Sequence, residues 1–230
     1  MTACLLCQQT IVSQYSLHEL CFNRYFYQDL LCRTCRDEFQ EIIRPACCQI
    51  CGRHLNQTHL CRDCLRRQQS STELLTNQAL FRYNTAMHDY FQQYKGRGDY
   101  RLRLAFAGSL RRVVQQYQAT TLFVPIPTSP NHFEERQFDP VLGLYSDILP
   151  LTCLLVCHDH ADHQAQLTRH QRLISPQYFY CETPATQKNG IKQILLLDDI
   201  YTTGTTLYHG LAALRQAGYR GKMTSLTLAR

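Results

Sequence analysis

LLLDDIYTTGTTL, residues 195–207, runs from an apolar segment through an acid pair into a hydroxyl-rich turn. Together with Gln193 and Ile194 the leucines form a short apolar run suited to a strand buried on both faces. Two acids follow at once, Asp198 and Asp199, and then a turn of hydroxyls around one glycine: Thr202, Thr203, Gly204, Thr205 and Thr206. A helix begins there, because Leu207, Leu211 and Leu214 recur at i, i+4 and i+7, and Gly218 supplies its stop.

Strand, acid pair, hydroxyl turn and helix each have a chemical reason. Ligands of open α/β sheets gather at the carboxyl ends of the strands, where a helix N-terminus offers free N–H groups and a positive dipole to an anion. Thr202 to Thr206 therefore read as a phosphate cradle, with Gly204 removing the Cβ that would keep the backbone away. Asp198 and Asp199 cannot hold phosphate. They can accept hydrogen bonds from vicinal sugar hydroxyls and orient a Mg²⁺ bound to pyrophosphate. The ligand expected is a phosphorylated sugar. The chain contains neither G-x-x-x-x-G-K-[ST] nor G-x-G-x-x-G, which excludes a P-loop and a dinucleotide fingerprint.

Outward from this stretch, short apolar runs alternate with helix-like segments after residue 75, the sign of an α/β fold with a parallel sheet. LFVPI (122–126) and LTCLLVC (151–157) read as further strands, and MTSLTLA (223–229) as a final strand that closes the sheet. The amino-terminal part has a different character. Of 13 cysteines, eight form four C-x-x-C pairs before residue 65: Cys4 and Cys7, Cys32 and Cys35, Cys48 and Cys51, Cys61 and Cys64. A domain boundary is expected there, with a cysteine module at 1–66, a polar connector at 66–72 and the α/β domain at 75–230.

Two C-x-x-C turns complete a tetrahedron around Zn²⁺ with no open position, so eight cysteines predict two structural zinc ions. The nine residues between Cys51 and Cys61 favour sequential pairing into two ribbons, and Gly52 permits a tight knuckle. A cross-braced pairing is the alternative. Cys21 and Cys47 fall outside the spacing and read as buried small hydrophobes; His54 and His59 read as surface or structural residues. Closed zinc sites are folding staples, and they supply what a module with so few aliphatic residues lacks.

With 44% hydrophobic and 18% charged residues in a chain of 230, a disordered polymer is excluded. No apolar run approaches the ~20 residues of a spanning helix, and no secretory signal is visible at the start. The expected location is cytoplasmic, at most peripheral to a membrane. The formal charge of +6 drops to about +2 once eight thiolates and two Zn²⁺ are counted. Local clustering says more. From 80 to 115, seven basic residues face only Asp89 and Asp99, with Tyr83, Tyr90, Phe91, Tyr94 and Tyr100 interleaved. Such a stretch can hold phosphates and stack unpaired bases; the alternative is a solvated helix face with its aromatics turned inward. Arg97, Arg101 and Arg103 are the candidate nucleic-acid patch.

The 195–207 stretch resembles the phosphoribosyl pyrophosphate (PRPP) motif of type I phosphoribosyltransferases. Added to the double zinc ribbon, YKGRGDYRL (94–102), PIP (125–127) and ERQF (135–138) make the whole chain similar to the ComF competence family, ComFC type. The resemblance implies a phosphoribosyltransferase-like domain acting in natural transformation on incoming single-stranded DNA at the inner membrane face, beside competence proteins such as a ComFA-type helicase. It makes Asp198 and Asp199 the ribose-binding pair, Thr202 to Thr206 the 5′-phosphate loop, and Pro127, Thr128 and Ser129 the pyrophosphate loop. QLTRHQRL (166–173) corresponds to the mobile loop, with Arg169 and Arg172 closing over the pyrophosphate. Mg²⁺ would accompany the ligand. Members usually read R-G-F-N-Q where this chain has Arg136, Gln137, Phe138, Asp139 and Pro140. A nucleotide-salvage transferase acting on a free base is the alternative, but a chain ending at Arg230 would carry no carboxy-terminal hood to select the base.

Overall fold

The structure is a computed structural model that describes residues 2–11, 30–43, 46–55, 60–70, 73–117, 119–157, 177–182 and 190–230. An antiparallel pair, β1 (Thr2–Ala3) and β2 (Thr10–Ile11), and a short helix α1 (Arg33–Asp37) precede the centre, a four-stranded, all-parallel sheet built from β3 (Thr76–Phe81), β4 (Thr121–Pro125), β7 (Gln193–Ile200) and β8 (Lys222–Ala229), in the order β3-β8-β7-β4. β7 is buried at six consecutive positions, 194–199. Such a strand has no solvent face, which is why its sequence reads as a continuous apolar run.

Alternate residues of β7 feed two separate cores. Ile194 and Leu196 pack with Leu207, Leu211 and Leu214 of α7 (Thr205–Gln216), while Leu195 and Leu197 pack into an aromatic core that includes Phe81, Tyr90, Phe106 and Tyr145. The aromatic side is roofed by α3 (Thr85–Phe91), α4 (Ala107–Val114) and α6 (Pro140–Tyr145). Between β4 and α6 lies α5 (Pro130–Arg136). The expectations for Leu207, Leu211, Leu214 and Gly218 hold: the leucines are buried, and Gly218 takes φ +91° just beyond the helix.

Three expectations need correction. LTCLLVC does not join the main sheet as a strand. Only Leu151 bridges Phe123, and β5 (Leu155–Cys157) leaves to pair antiparallel with β6 (Phe179–Cys181), because a short apolar run does not specify its partner. β8 does not close the sheet but fills its interior, since β3, unread in the sequence, covers its outer edge. The segment expected as a connector is helical as far as Ser70 in α2 (Arg62–Ser70).

The amino-terminal segments pack directly on the sheet. Gln40 and Ile42 exchange backbone hydrogen bonds with Arg82 and Leu80, covering the free edge of β3. Ile50 accepts from the Asn77 N–H at 2.7 Å. Cys4 belongs to the aromatic core, whereas Cys48, Cys51, Cys61 and Cys64 belong to the α7 side, so the two cysteine groups sit against opposite faces of the sheet. Among the described residues, no helix is long and apolar enough to cross a membrane.

Candidate functional site

The site forms where β4 and β7 end. Asp198 and Asp199 occupy the last turn of the pleat in β7, each only 9% exposed. The Asp198 carboxylate accepts the Asp199 N–H at 2.9 Å, and its carbonyl accepts the Tyr145 hydroxyl at 3.1 Å. Burial, and next the neighbouring Asp199, push the Asp198 carboxyl well above the usual carboxylate range. Asp199 is ion-paired with Lys95.

After β7 the chain turns through Thr202 and Thr203 to Gly204, which adopts φ +79° as the N-cap of α7 and has no side chain to cap it; the Thr203 hydroxyl accepts the Thr205 N–H at 3.4 Å. A Cβ at Gly204 would come within 2.3 Å of the Tyr201 hydroxyl, because the loop lies directly on that ring. Thr203 and Thr205 hydroxyls are joined at 2.9 Å. On the opposite wall, β4 gives way to Pro127, Thr128 and Ser129. The Thr128 N–H donates to Asp139 Oδ2 at 2.9 Å, and the buried Ser129 hydroxyl has no hydrogen-bond partner among the described residues.

A cavity of about 300 Å³ separates the two walls, lined by Pro127, Thr128, Ser129, Asp198, Asp199, Thr202 and Thr206 together with Lys95, His132 and Arg136. Thr203, Gly204 and Thr205 shape the loop without lining the cavity. A larger hollow of about 450 Å³ opens at the amino ends of the strands. Its polar groups bond one another, as Gln116 does Gln78 and Gln193 does Thr224, and no acid lines it among the described residues. Chemistry, and not volume, therefore selects the smaller cavity, which also lies where open α/β sheets place their ligands.

The cysteines group sequentially. Cys4, Cys7, Cys32 and Cys35 form one set and Cys48, Cys51, Cys61 and Cys64 another, with the sulfurs of each set within 4.8 Å of one another. The Cys7–Cys32 and Cys51–Cys61 sulfurs are 3.6 Å apart, close to the ~3.8 Å edge of a tetrahedron with ~2.3 Å Zn–S bonds. Backbone N–H groups reach sulfur in both knuckles, from Cys35 to Cys32 at 3.5 Å and from Cys61 to Cys48 at 3.3 Å. The donor sets fit zinc. Gly52 takes φ +75° in the second knuckle. Cys47 is buried outside the set, and His54 is exposed with its ring bonded to the Ala46 carbonyl. Cys21 and His59 lie outside the described residues.

No protein-family model matches the chain. It is 31% identical over 231 residues to the competence protein ComFC of Streptococcus pneumoniae, covering 96% of this chain and 97% of that protein. The chain belongs to the ComFC family. It is also 29% identical over 245 residues to ComFC of Bacillus subtilis, covering 99% and 94% of the two chains.

In this ComFC-family chain the departures at 136–140 acquire a physical account. Gln137 adopts φ +62° as the left-handed cap of α5, the conformation that makes glycine the expected residue. Asp139 caps α6, accepting the N–H groups of Val141 and Leu142 besides that of Thr128, so it ties the 127–129 loop to the next helix. Burial raises its carboxyl above the ordinary range.

Arg169 and Arg172, and with them the expected mobile loop, lie outside the described residues. Arg97, Arg101 and Arg103 do not line the cavity. Arg101 grips Asp99 through two bonds of 2.9 and 2.8 Å, and Arg103 is paired with Asp147. Of the interleaved aromatics, Tyr90, Phe91 and Tyr94 are core residues; only Tyr83 and Tyr100 are exposed, at 43% each. Sequence reasoning counted Lys95 among the basic charges and within the 94–102 segment but missed its place beside Asp199. The π-helical turn Gln92–Gly96 that carries it is a feature common at functional sites, but hydrophobic periodicity does not announce it.

Proposed function

We propose that this chain serves DNA uptake in natural transformation as a PRPP-binding factor that also engages single-stranded DNA. The observation that carries the reading is one cavity faced by two adjacent carboxylates, a helix start whose N-cap is a glycine, and a buried hydroxyl with no partner among the described residues. Thr202 to Thr206 would receive the 5′-phosphate on the N–H groups and dipole of α7. Asp198 and Asp199 would accept the vicinal ribose hydroxyls. Ser129, with Thr128 beside it, would donate to the pyrophosphate, with Arg136 and His132 as nearby cations or donors. Hard carboxylate oxygens also suit the Mg²⁺ that accompanies such a ligand, which would spread the charge of the leaving pyrophosphate if transfer follows.

For DNA, the supporting features are the cations of 97–103 and the exposed Tyr100 ring, over which the Arg103 guanidinium lies at 4.9 Å; Tyr83 is also exposed. Asp99 and Asp147 already compensate two of the three arginines, so the free charge is smaller than the sequence count.

Calorimetric titration with PRPP and Mg²⁺ tests the pocket. Binding is expected in the wild type and lost in Asp198→Asn/Asp199→Asn, which should keep its fold and two zinc ions. Wild-type silence would overturn the reading. For DNA, oligonucleotide anisotropy across salt should show micromolar binding with a steep slope, and Arg97→Ala/Arg101→Ala/Arg103→Ala should flatten it by ~0.7 per lost phosphate contact. An unchanged slope would remove the patch. Pyrophosphate release with a free purine or pyrimidine would move the assignment to a salvage transferase.

A further inference from the structure

The phosphate-type loop is fastened from below by two arginines that also touch the second cysteine knuckle or its helix. The Arg230 guanidinium donates to the carbonyls of Tyr201 at 3.2 Å and Thr202 at 3.0 Å, and its other terminal nitrogen donates to Cys51 Sγ at 3.3 Å. The same group lies over the Tyr201 ring, 4.9 Å from its centre. Arg67 stands one turn along α2 from Cys64; it donates to the Thr203 carbonyl at 3.3 Å and covers the Tyr208 ring at 3.9 Å. Both supports are themselves fixed. The backbone of Arg230 bonds Phe81 and Tyr83, and the Tyr208 hydroxyl accepts the Leu75 N–H at 3.0 Å.

Three consecutive carbonyls, 201 to 203, are thus drawn toward the knuckle. In a planar trans peptide the following N–H points opposite to the carbonyl. The N–H groups of Thr202, Thr203 and Gly204 are therefore turned away from the knuckle, toward the side on which an anion would be received. Tyr201, pressed between Arg230 and Gly204, keeps the loop from sinking back.

We propose that the second cysteine cluster is the positioning support of this loop, acting through Arg230 and Arg67, so that its metal-bound state sets how well the loop holds a phosphate. A thiolate held on Zn²⁺ is a fixed, charged acceptor for Arg230, and the closed knuckle anchors the start of α2 that carries Arg67. Opening the cluster releases both anchors at once. The first cluster packs on the other face of the sheet and, among the described residues, has no such route. The consequence for ligand rests on the PRPP reading; the consequence for the loop does not.

Amide hydrogen exchange of residues 201–206 in the full chain separates the two. In Arg230→Met and Arg67→Met, with native mass spectrometry confirming two zinc ions, loop exchange should accelerate about tenfold or more while β7 stays protected. Cys61→Ser should reproduce the acceleration and Cys7→Ser should not; if the cysteine variants fail to fold, the arginine variants decide. PRPP affinity, measured with Mg²⁺, should fall about tenfold in the arginine variants. Unchanged loop exchange in both arginine variants overturns the inference. Accelerated exchange with no wild-type PRPP binding supports it and sinks the PRPP reading instead.

Discussion

The ammonium of Lys95 is ion-paired with the carboxylate of Asp199, with the Phe91 ring 4.9 Å beneath it. One cation thereby offsets the charge of Asp199 at the mouth of the cavity, beside the buried Asp198. Lys95→Met should destabilise the fold by roughly 2–3 kcal/mol at neutral pH, below the full cost of stranding a deeply buried charge because the cavity admits water. Urea unfolding measures it; a change under ~0.5 kcal/mol would mean that water already compensates Asp199.

Asp198 makes a pH-dependent prediction. Its carboxyl is raised above the ordinary range by burial and then by Asp199, so the native state favours the protonated form. Its contribution is whole below the unfolded carboxylate value, near 3.9, and is lost as pH rises through the shifted value. Asparagine has no proton to lose. Asp198→Asn should raise the melting temperature at pH 8 by about 2–4 °C, the equivalent of ~1 kcal/mol in a chain of this size. The gain should fade toward pH 4; a gain constant across that range would contradict the assignment.

Gly204→Ala should damage the loop twice. The left-handed backbone costs about 1–2 kcal/mol, and the new methyl must displace a buried tyrosine ring. PRPP affinity should drop by about tenfold or more in calorimetry while both zinc ions are retained.

The converse holds at Gln137, where a side chain already sits at φ +62°. Gln137→Gly should stabilise the protein by about 0.5–1 kcal/mol, the relieved strain less the added freedom of the unfolded chain. A denaturation midpoint that falls would refute this.

Metal content is the plainest measurement. Two zinc ions per chain are expected, and Cys32→Ser should lose one while leaving the set around Cys48 filled.

How much was readable from the sequence depended on how local the cause was. The stretch 195–207 declared strand, acids, turn and helix because each is set within a few residues. Cysteine pairing was legible for the same reason, Cys51 and Cys61 being close in the chain. β3 was not: TNQALF is half polar, and its place depends on β8 and on residues 40–42, which cover its two edges. LTCLLVC carried the right hydrophobicity without saying which neighbour it would choose. Lys95 became a site residue only when a π-helical turn brought it to Asp199, and Arg230 only when the sheet set it under the loop.

The interior position of β8 bears on how the molecule is made. Thr76 pairs with Thr224, so the first strand of the sheet leaves the ribosome long before its partner is translated. At ordinary elongation rates the wait is roughly 7–30 s. Throughout it, one flank of β3 keeps its backbone N–H and C=O groups unpaired by β8 and open to any passing extended peptide.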